Sequence, residues 1–253
     1  MASKPTQDAY LKKQESLLEA DLAKAERAYG ASRTQGADTL STALFRLANN
    51  YLQQGRSAEA ESLLRRCLQV GADEGKKPSA LELHWLGLAC MKQGKFQESE
   101  QSLRQALATQ EKWGKDSQVD PGSDSALSGI LSSLGTACME QKKFSEAESI
   151  FKRNLANVKG GKDGGSPVFL PSALGDLAWL YTRSERYAEA EPLFAQAVLL
   201  RANAHALEAQ AIICDHYAEC LRRQGKTAAA SGMTARAEEM RAQKARLNPE
   251  MDY

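Results

Sequence analysis

Apolar residues along this chain fall at helical spacing, and the same phrase of them appears five times. In its first appearance Leu44, Leu47, Ala48 and Tyr51 stand at i, i+3, i+4 and i+7, one stripe of a helix. The stripe recurs as Leu83, Leu86, Gly87 and Cys90, as Leu131, Leu134, Gly135 and Cys138, and as Leu174, Leu177, Ala178 and Tyr181. A worn fifth copy reads Cys214, Tyr217, Ala218 and Leu221. The small residue at the third place lets a neighbouring helix approach closely. A turn follows each stripe, with Gly55, Gly94, Lys142, Glu185 and Gly225 at equivalent positions, where glycine suits a helix C-cap. Those positions lie 39, 48, 43 and 40 residues apart, so only the connectors vary in length. A second helix comes after each turn. Ala60, Leu64 and Leu68 share one of its faces in the first copy, as do Ala147, Phe151 and Leu155 in the third and Ala190, Phe194 and Val198 in the fourth.

Each unit is therefore a helix pair, and the chain is an all-α array. The pattern places a capping helix and linker at 1–39. The array covers 40–226, with units at 40–70, 79–113, 127–158 and 170–201 and a fifth beginning at 210. The last helix of that fifth unit and a tail occupy 227–253. In the capping helix Leu11, Leu18, Leu22 and Ala25 form the stripe. Glycine and proline collect at 71–78, 115–123 and 159–171, which reads as loops. The junction 201–210 has no such breaker and is expected to continue helically. A one-dimensional array is stabilised by unit cores and nearest-neighbour contacts, so its ends should fray before its middle.

Composition agrees with helices: 6% of residues are aromatic, 42% hydrophobic, and there are only 7 Pro in 253 residues. Lys plus Arg number 33 against 32 Asp plus Glu, which excludes a whole-chain basic footprint for nucleic acid. Five cysteines with no C-x-x-C spacing argue against a disulfide framework or a zinc ribbon. The polar first residues lack a signal-peptide core, and no stretch approaches the length of a membrane span. A cytoplasmic protein, not inserted in membrane, is the expectation.

The repeated residues resemble the tetratricopeptide repeat. The run Leu-x-x-Leu-Gly/Ala-x-x-Tyr/Cys, then Gly-x-Phe/Tyr-x-x-Ala, then Phe/Leu-x-x-Ala, is that family's pattern over roughly 40–240. The length near 42 and the acidic tags at 58–61 and 187–192 are most similar to its kinesin-light-chain-like subclass. The resemblance implies an α-solenoid, a superhelix of antiparallel helix pairs whose first helices line a concave groove for peptides or partner helices. Departures fall in the fifth copy, where Cys214, Thr227 and Thr234 stand at places usual for large apolar residues. Lys142 and Glu185 stand where the turn glycine belongs, a costlier choice wherever φ is positive.

By register, the first-helix positions pointing away from the second helix are Phe45, Asn49, Leu52, His84, Leu88, Met91, Thr136, Met139, Trp179, Thr182, Glu219 and Arg222. They form a mixed apolar groove, with Phe45, Met91, Met139 and Trp179 as anchors and Asn49 on peptide backbone. The competing reading packs Leu88, Met91, Met139 and Trp179 against the adjoining unit. A carboxylate clamp is disfavoured: Phe45 stands where its lysine is needed, and Ser132 and Thr136 occupy the place of its later basic pair.

Two glutamate series recur, at Glu59, Glu98, Glu146 and Glu189 and at Glu61, Glu100, Glu148 and Glu191. In the first turn of each second helix they complement the helix dipole. The pairs Glu61–Arg65, Glu100–Arg104 and Glu148–Lys152 are spaced for i, i+4 ion pairs. His84, His205 and His216 have no metal-ligand spacing, and no cysteine–histidine nucleophile is identifiable. The sequence thus reads as a non-catalytic interaction scaffold binding a peptide or partner helix, without cofactor or metal. Self-assembly into a homo-oligomer through the end helices is the alternative.

Overall fold

The computed structural model describes residues 7–116, 123–160, 168–200 and 207–247. Those residues form eleven helices. They are α1 (Gln7–Ala31), α2 (Arg33–Gln53), α3 (Ser57–Asp73), α4 (Ala80–Lys92), α5 (Phe96–Asp116), α6 (Ser123–Glu140), α7 (Phe144–Gly160), α8 (Leu170–Arg183), α9 (Tyr187–Leu199), α10 (Leu207–Arg223) and α11 (Thr227–Leu247). The even-numbered helices are the first helices of the five repeats, and α3, α5, α7, α9 and α11 are the second. The chain divides into two compact units, Met1–Gln118 with α1–α5 and Val119–Tyr253 with α6–α11. Within each, consecutive helices pack on one another, as an α-solenoid requires.

The stripes become the cores. In the first unit Leu47, Ala48, Tyr51, Ala60, Leu64, Leu86, Ala89 and Cys90 are buried together with Leu18 of α1. In the second, Leu131, Leu134, Phe151, Leu174 and Phe194 are each 1% exposed or less. Each such side chain contributes about 1.5–3 kcal/mol by leaving water. The small stripe positions are required by contact. A Cβ added to Gly87 would lie 2.6 Å from Leu103 Cγ, and one added to Gly135 would run into the Phe151 ring at closer range still.

All five turns close as Schellman motifs. The residue after each turn position donates its N–H back to the third-last residue of the helix: Arg56 to Tyr51, Lys95 to Cys90, Lys143 to Cys138, Arg186 to Tyr181 and Lys226 to Leu221, at 2.8–3.0 Å. The motif demands a left-handed residue. Gly55, Gly94 and Gly225 supply it freely, whereas Lys142 (φ 61°) and Glu185 (φ 62°) adopt it with a side chain in place.

The capping-helix stripe is as expected: Leu11, Leu18 and Ala25 are buried against α2. The separate linker is not; only Ser32 divides α1 from α2, which begins at Arg33. Of the helix expected over 201–210, residues 207–210 are helical as the start of α10, while α9 stops before that stretch, at Leu199. Leu200 is extended (φ −70°, ψ 132°). The last carbonyls of α9 are taken instead by side chains. Gln210 Nε2 donates to Ala197 O at 2.9 Å and Leu200 O at 3.3 Å, and Arg236 donates to Val198 O at 2.8 Å. Residues 201–206 of that junction lie outside the described residues, as do the loops 117–122 and 161–167.

Candidate interaction surface

A charge ladder sets the register from which the candidate surface is built. The predicted pairs form within helices: Glu61–Arg65 at 2.8 Å, Glu100–Arg104 at 2.8 Å and Glu148–Lys152 at 2.7 Å. A second set, not anticipated from sequence, joins one repeat to the next. At three of the turns the cation just after the turn reaches back to the glutamate of the preceding second helix. Lys95 Nζ meets Glu61 at 2.7 Å, Arg186 meets Glu148 at 2.5 Å, and Lys226 meets Glu191 at 2.6 Å. At the N-terminal end Arg56 pairs with Glu15 of α1, and Gln54 donates to the same carboxylate at 3.1 Å, as Gln93 does to Glu61 at 2.7 Å. Helix α1 therefore occupies the place of a second helix from a preceding repeat. These cations hold the Glu61 and Glu148 carboxyls down at about 2, against the desolvation that would raise them.

The ladder also bears on metal and nucleophile chemistry. Glu61, Cys90 and Glu98 bring one potential ligand atom each within 4.8 Å of one another. Both carboxylates are already bridged by Arg65, and Lys95 holds Glu61 as well. Burial pushes the Cys90 thiol up to about 11, and that of Cys67 to about 12. At neutral pH these are protonated thiols, poor as metal ligands and as nucleophiles.

On the first unit's first-helix face, Phe45 of α2 meets Trp85 of α4 edge-on, with ring centroids 6.0 Å apart at 88°. His84, Leu88 and Met91 of α4 are half-buried beside them, and burial lowers the His84 imidazole to about 4, so it is neutral. Asn49 lies in a cleft of about 220 Å³ shared with Tyr10, Gln14, Arg46, Asn50 and Gln53, a lining rich in amides.

On the second unit's face the chemistry is polar. Ser132 Oγ of α6 donates to Asp176 Oδ2 of α8 at 2.6 Å. Trp179 stacks on His216 of α10 with centroids 4.1 Å apart and planes 9° from parallel. Arg183 lies 5.9 Å from the Trp179 ring and pairs with Glu140 at 2.9 Å. Thr136 donates to Ser132 O at 2.9 Å, and Glu219 is held by Arg222 at 2.5 Å and Arg223 at 2.9 Å. Arg222 is exposed at the edge of a cleft of about 400 Å³ lined by α11 residues, among them Ser231 and Thr234.

Three of the expected contact residues are closed off. Leu52 is 5% exposed, Met139 2% and Thr182 0%. Leu52 packs in one cluster with Leu86, Ala89 and Cys90 of the following repeat, so the neighbour covers that register position. Thr182 spends its hydroxyl on Ala178 O at 3.0 Å. Sequence reasoning in turn missed Trp85, Asp176 and His216, which occupy one equivalent position with Arg46 and Ser133. A signal was present. That position carries a different residue in every copy, whereas the adjacent core position reads Leu47, Leu86, Leu134, Leu177 and Tyr217.

Models of the tetratricopeptide repeat match residues 43–78, 83–112 and 172–206. No curated protein matches in sequence. Among solved structures, BtubC (BKLC) from P. vanneervenii has a TM-score of 0.67 at 17% identity, over 92% of this chain and 91% of that one. A putative kinesin light chain from Podosopora anserina, with nearly identical TPR-like repeats, has a TM-score of 0.56 at 19% identity, over 80% of this chain and 95% of that one. NprR in complex with its cognate peptide NprX has a TM-score of 0.68 at 14% identity, over 94% of this chain and 65% of that one. At these identities the likeness is one of fold.

Proposed function

This is a tetratricopeptide-repeat protein, and we propose that it works as a non-catalytic interaction scaffold whose first-helix faces take a peptide or a partner helix. One observation carries the reading: repeated and unrepeated positions sit side by side. Packing needs Leu47, Leu86, Leu134 and Leu177 to be alike, and they are. Arg46, Trp85, Ser133, Asp176 and His216 differ at every copy, and none of them is fully buried. An array that reads an irregular partner along its length needs such a difference.

Recognition would rest on a few anchors within a wider polar surround. Phe45 and Trp85 offer apolar area in the first unit, with Leu88 and Met91 as adaptable neighbours. Asn49 offers an amide to a peptide backbone. The similar NprR structure holds a cognate peptide, which supports an occupant of peptide size. Assembly of copies end to end finds less support in the ladder. Ser231 stands on α11 where Glu61, Glu100, Glu148 and Glu191 stand on the earlier second helices. A turn cation from another copy would find no carboxylate there.

The test is affinity capture from an extract of the source cells with three proteins. They are the wild type, a first-helix-face variant (Asn49→Ala with Leu88→Ala), and a second-helix control (Gln69→Ala with Gln97→Ala), each checked for retained helicity. Partners should be lost with the face variant alone. Equal capture by all three would contradict the assignment of binding to this face.

A further inference from the structure

We propose that the Ser132–Asp176 pair on the first-helix face of the second unit is a recognition point for one cationic group, the guanidinium or ammonium of an arginine or lysine in the bound peptide. The inference rests on the scaffold reading and gives part of its occupant a chemistry. Asp176 accepts a hydrogen bond from Ser132 Oγ at 2.6 Å, and among the described residues no cation lies within ion-pair distance of it. Cations elsewhere in the second unit are already engaged. Arg183, on the same helix, pairs with Glu140. Arg222 and Arg223 pair with Glu219, and Arg241 with Asp215. Lys152 and Arg186 share Glu148. His216 is pushed toward its neutral form by burial. Asp176 is thus a half-buried residue whose charge no cation among the described residues balances.

A purely structural tie between α6 and α8 would not need that charge, since an amide oxygen would also accept the serine proton. Burial, only partly offset by the Ser132 hydrogen bond, raises the Asp176 carboxyl to about 6, so the folded protein carries an unfavourable anion at neutral pH. A residue that opposes folding on a face exposed to partners fits a binding role. An incoming cation supplies the missing partner and a charge-assisted hydrogen bond. Its surroundings suit a long cationic side chain. Trp179, one turn along α8, is held rigid by its stack on His216, and Ile212, one turn before His216, is 43% exposed. Those surfaces can cover the methylene stem while the charged head reaches Asp176.

The experiment titrates the full chain with N-acetyl-arginine amide and N-acetyl-lysine amide, using the near-isosteric, uncharged N-acetyl-citrulline amide as the control. The readout is the indole N–H cross-peak of Trp179 in a two-dimensional NMR spectrum. Saturable shifts are expected with the two cations, at least about tenfold tighter than with citrulline, and lost in Asp176→Asn. Ser132→Ala removes the tie but keeps the carboxylate, and should retain binding to within about threefold. Equal shifts with citrulline, undiminished binding in Asp176→Asn, or no shift with either cation up to about 50 mM would overturn the proposal. Should Asp176→Asn not fold, the arginine-to-citrulline contrast on the wild type decides. Because the probe is an amino-acid amide, failure here leaves the Asn49/Leu88 capture result standing by itself.

Discussion

The two units of this chain are built on one core and present two faces. In the first, Phe45 meets Trp85 edge-on and the neighbours are Leu88 and Met91. In the second, the corresponding stretch holds Ser132 on Asp176 and Trp179 on His216, with Arg183 spent on Glu140. Their turns differ too. The first unit closes its helices on Gly55 and Gly94, while the second, beside Gly225, forces Lys142 and Glu185 into the same left-handed conformation. The difference teaches where selection can act in a repeat array. Positions closed under a helix of the same or the next repeat, such as Leu47, Leu86 and Leu134, are fixed by packing. A position that looks outward, or a turn that tolerates strain, is free to record function.

The sharpest break in that comparison is through the core. Phe151 is 1% exposed and lies over Gly135. Phe151→Ala should cost about 3–5 kcal/mol, read by urea unfolding, because a ring-sized cavity replaces it. A loss below about 1 kcal/mol would mean that the second unit's core is far looser than described.

Adding volume should separate the units next. In Gly135→Ala the new methyl would run into the rigid Phe151 ring, whereas in Gly87→Ala it would face the flexible Leu103 at 2.6 Å. Both should destabilise by about 1–3 kcal/mol, with Gly135→Ala the worse. The reverse order would show that the first unit is the more tightly packed.

Asp176 gives a prediction of opposite sign. Its folded pKa of about 6 lies above the ordinary value of 3.8. The folded state therefore binds more protons between those values, and stability falls as pH rises through that window. Asp176→Asn should gain about 1–3 kcal/mol at pH 7, and the gain should vanish near pH 3. A variant less stable than wild type at pH 7 would make the carboxylate a structural tie.

The smallest effect concerns the turns. Lys142→Gly and Glu185→Gly should each stabilise by about 0.5–1 kcal/mol, while Gly55→Ala and Gly94→Ala should destabilise by a similar amount. Differential scanning calorimetry would see opposite shifts in the two units. Shifts of the same sign would deny that φ is what separates these turns.

Much of this was legible in the sequence. The i, i+3, i+4, i+7 stripe located every helix pair, and the spacing of Glu61 and Arg65 announced their ion pair. The ladder from Lys95 back to Glu61 was not legible, because a helical wheel gives angles within one helix and says nothing about the next repeat. The same blindness misplaced Leu52, Met139 and Thr182. They point away from their own second helix, but Leu52 lies under α4 of the following repeat. Only Arg222, on the last first helix, is exposed at that register position. The end of α9 was missed for a related reason. No glycine or proline marks it, and the groups that satisfy its carbonyls, Gln210 and Arg236, come from other helices.

The central claim is that binding falls on the first helices. The most direct test is hydrogen–deuterium exchange of the full chain, free and with its captured partner. Slowed exchange should be concentrated in α2, α4, α6, α8 and α10, with α3, α5, α7 and α9 unchanged. Protection confined to the second helices, or to α1 and α11 at the ends, would contradict the account.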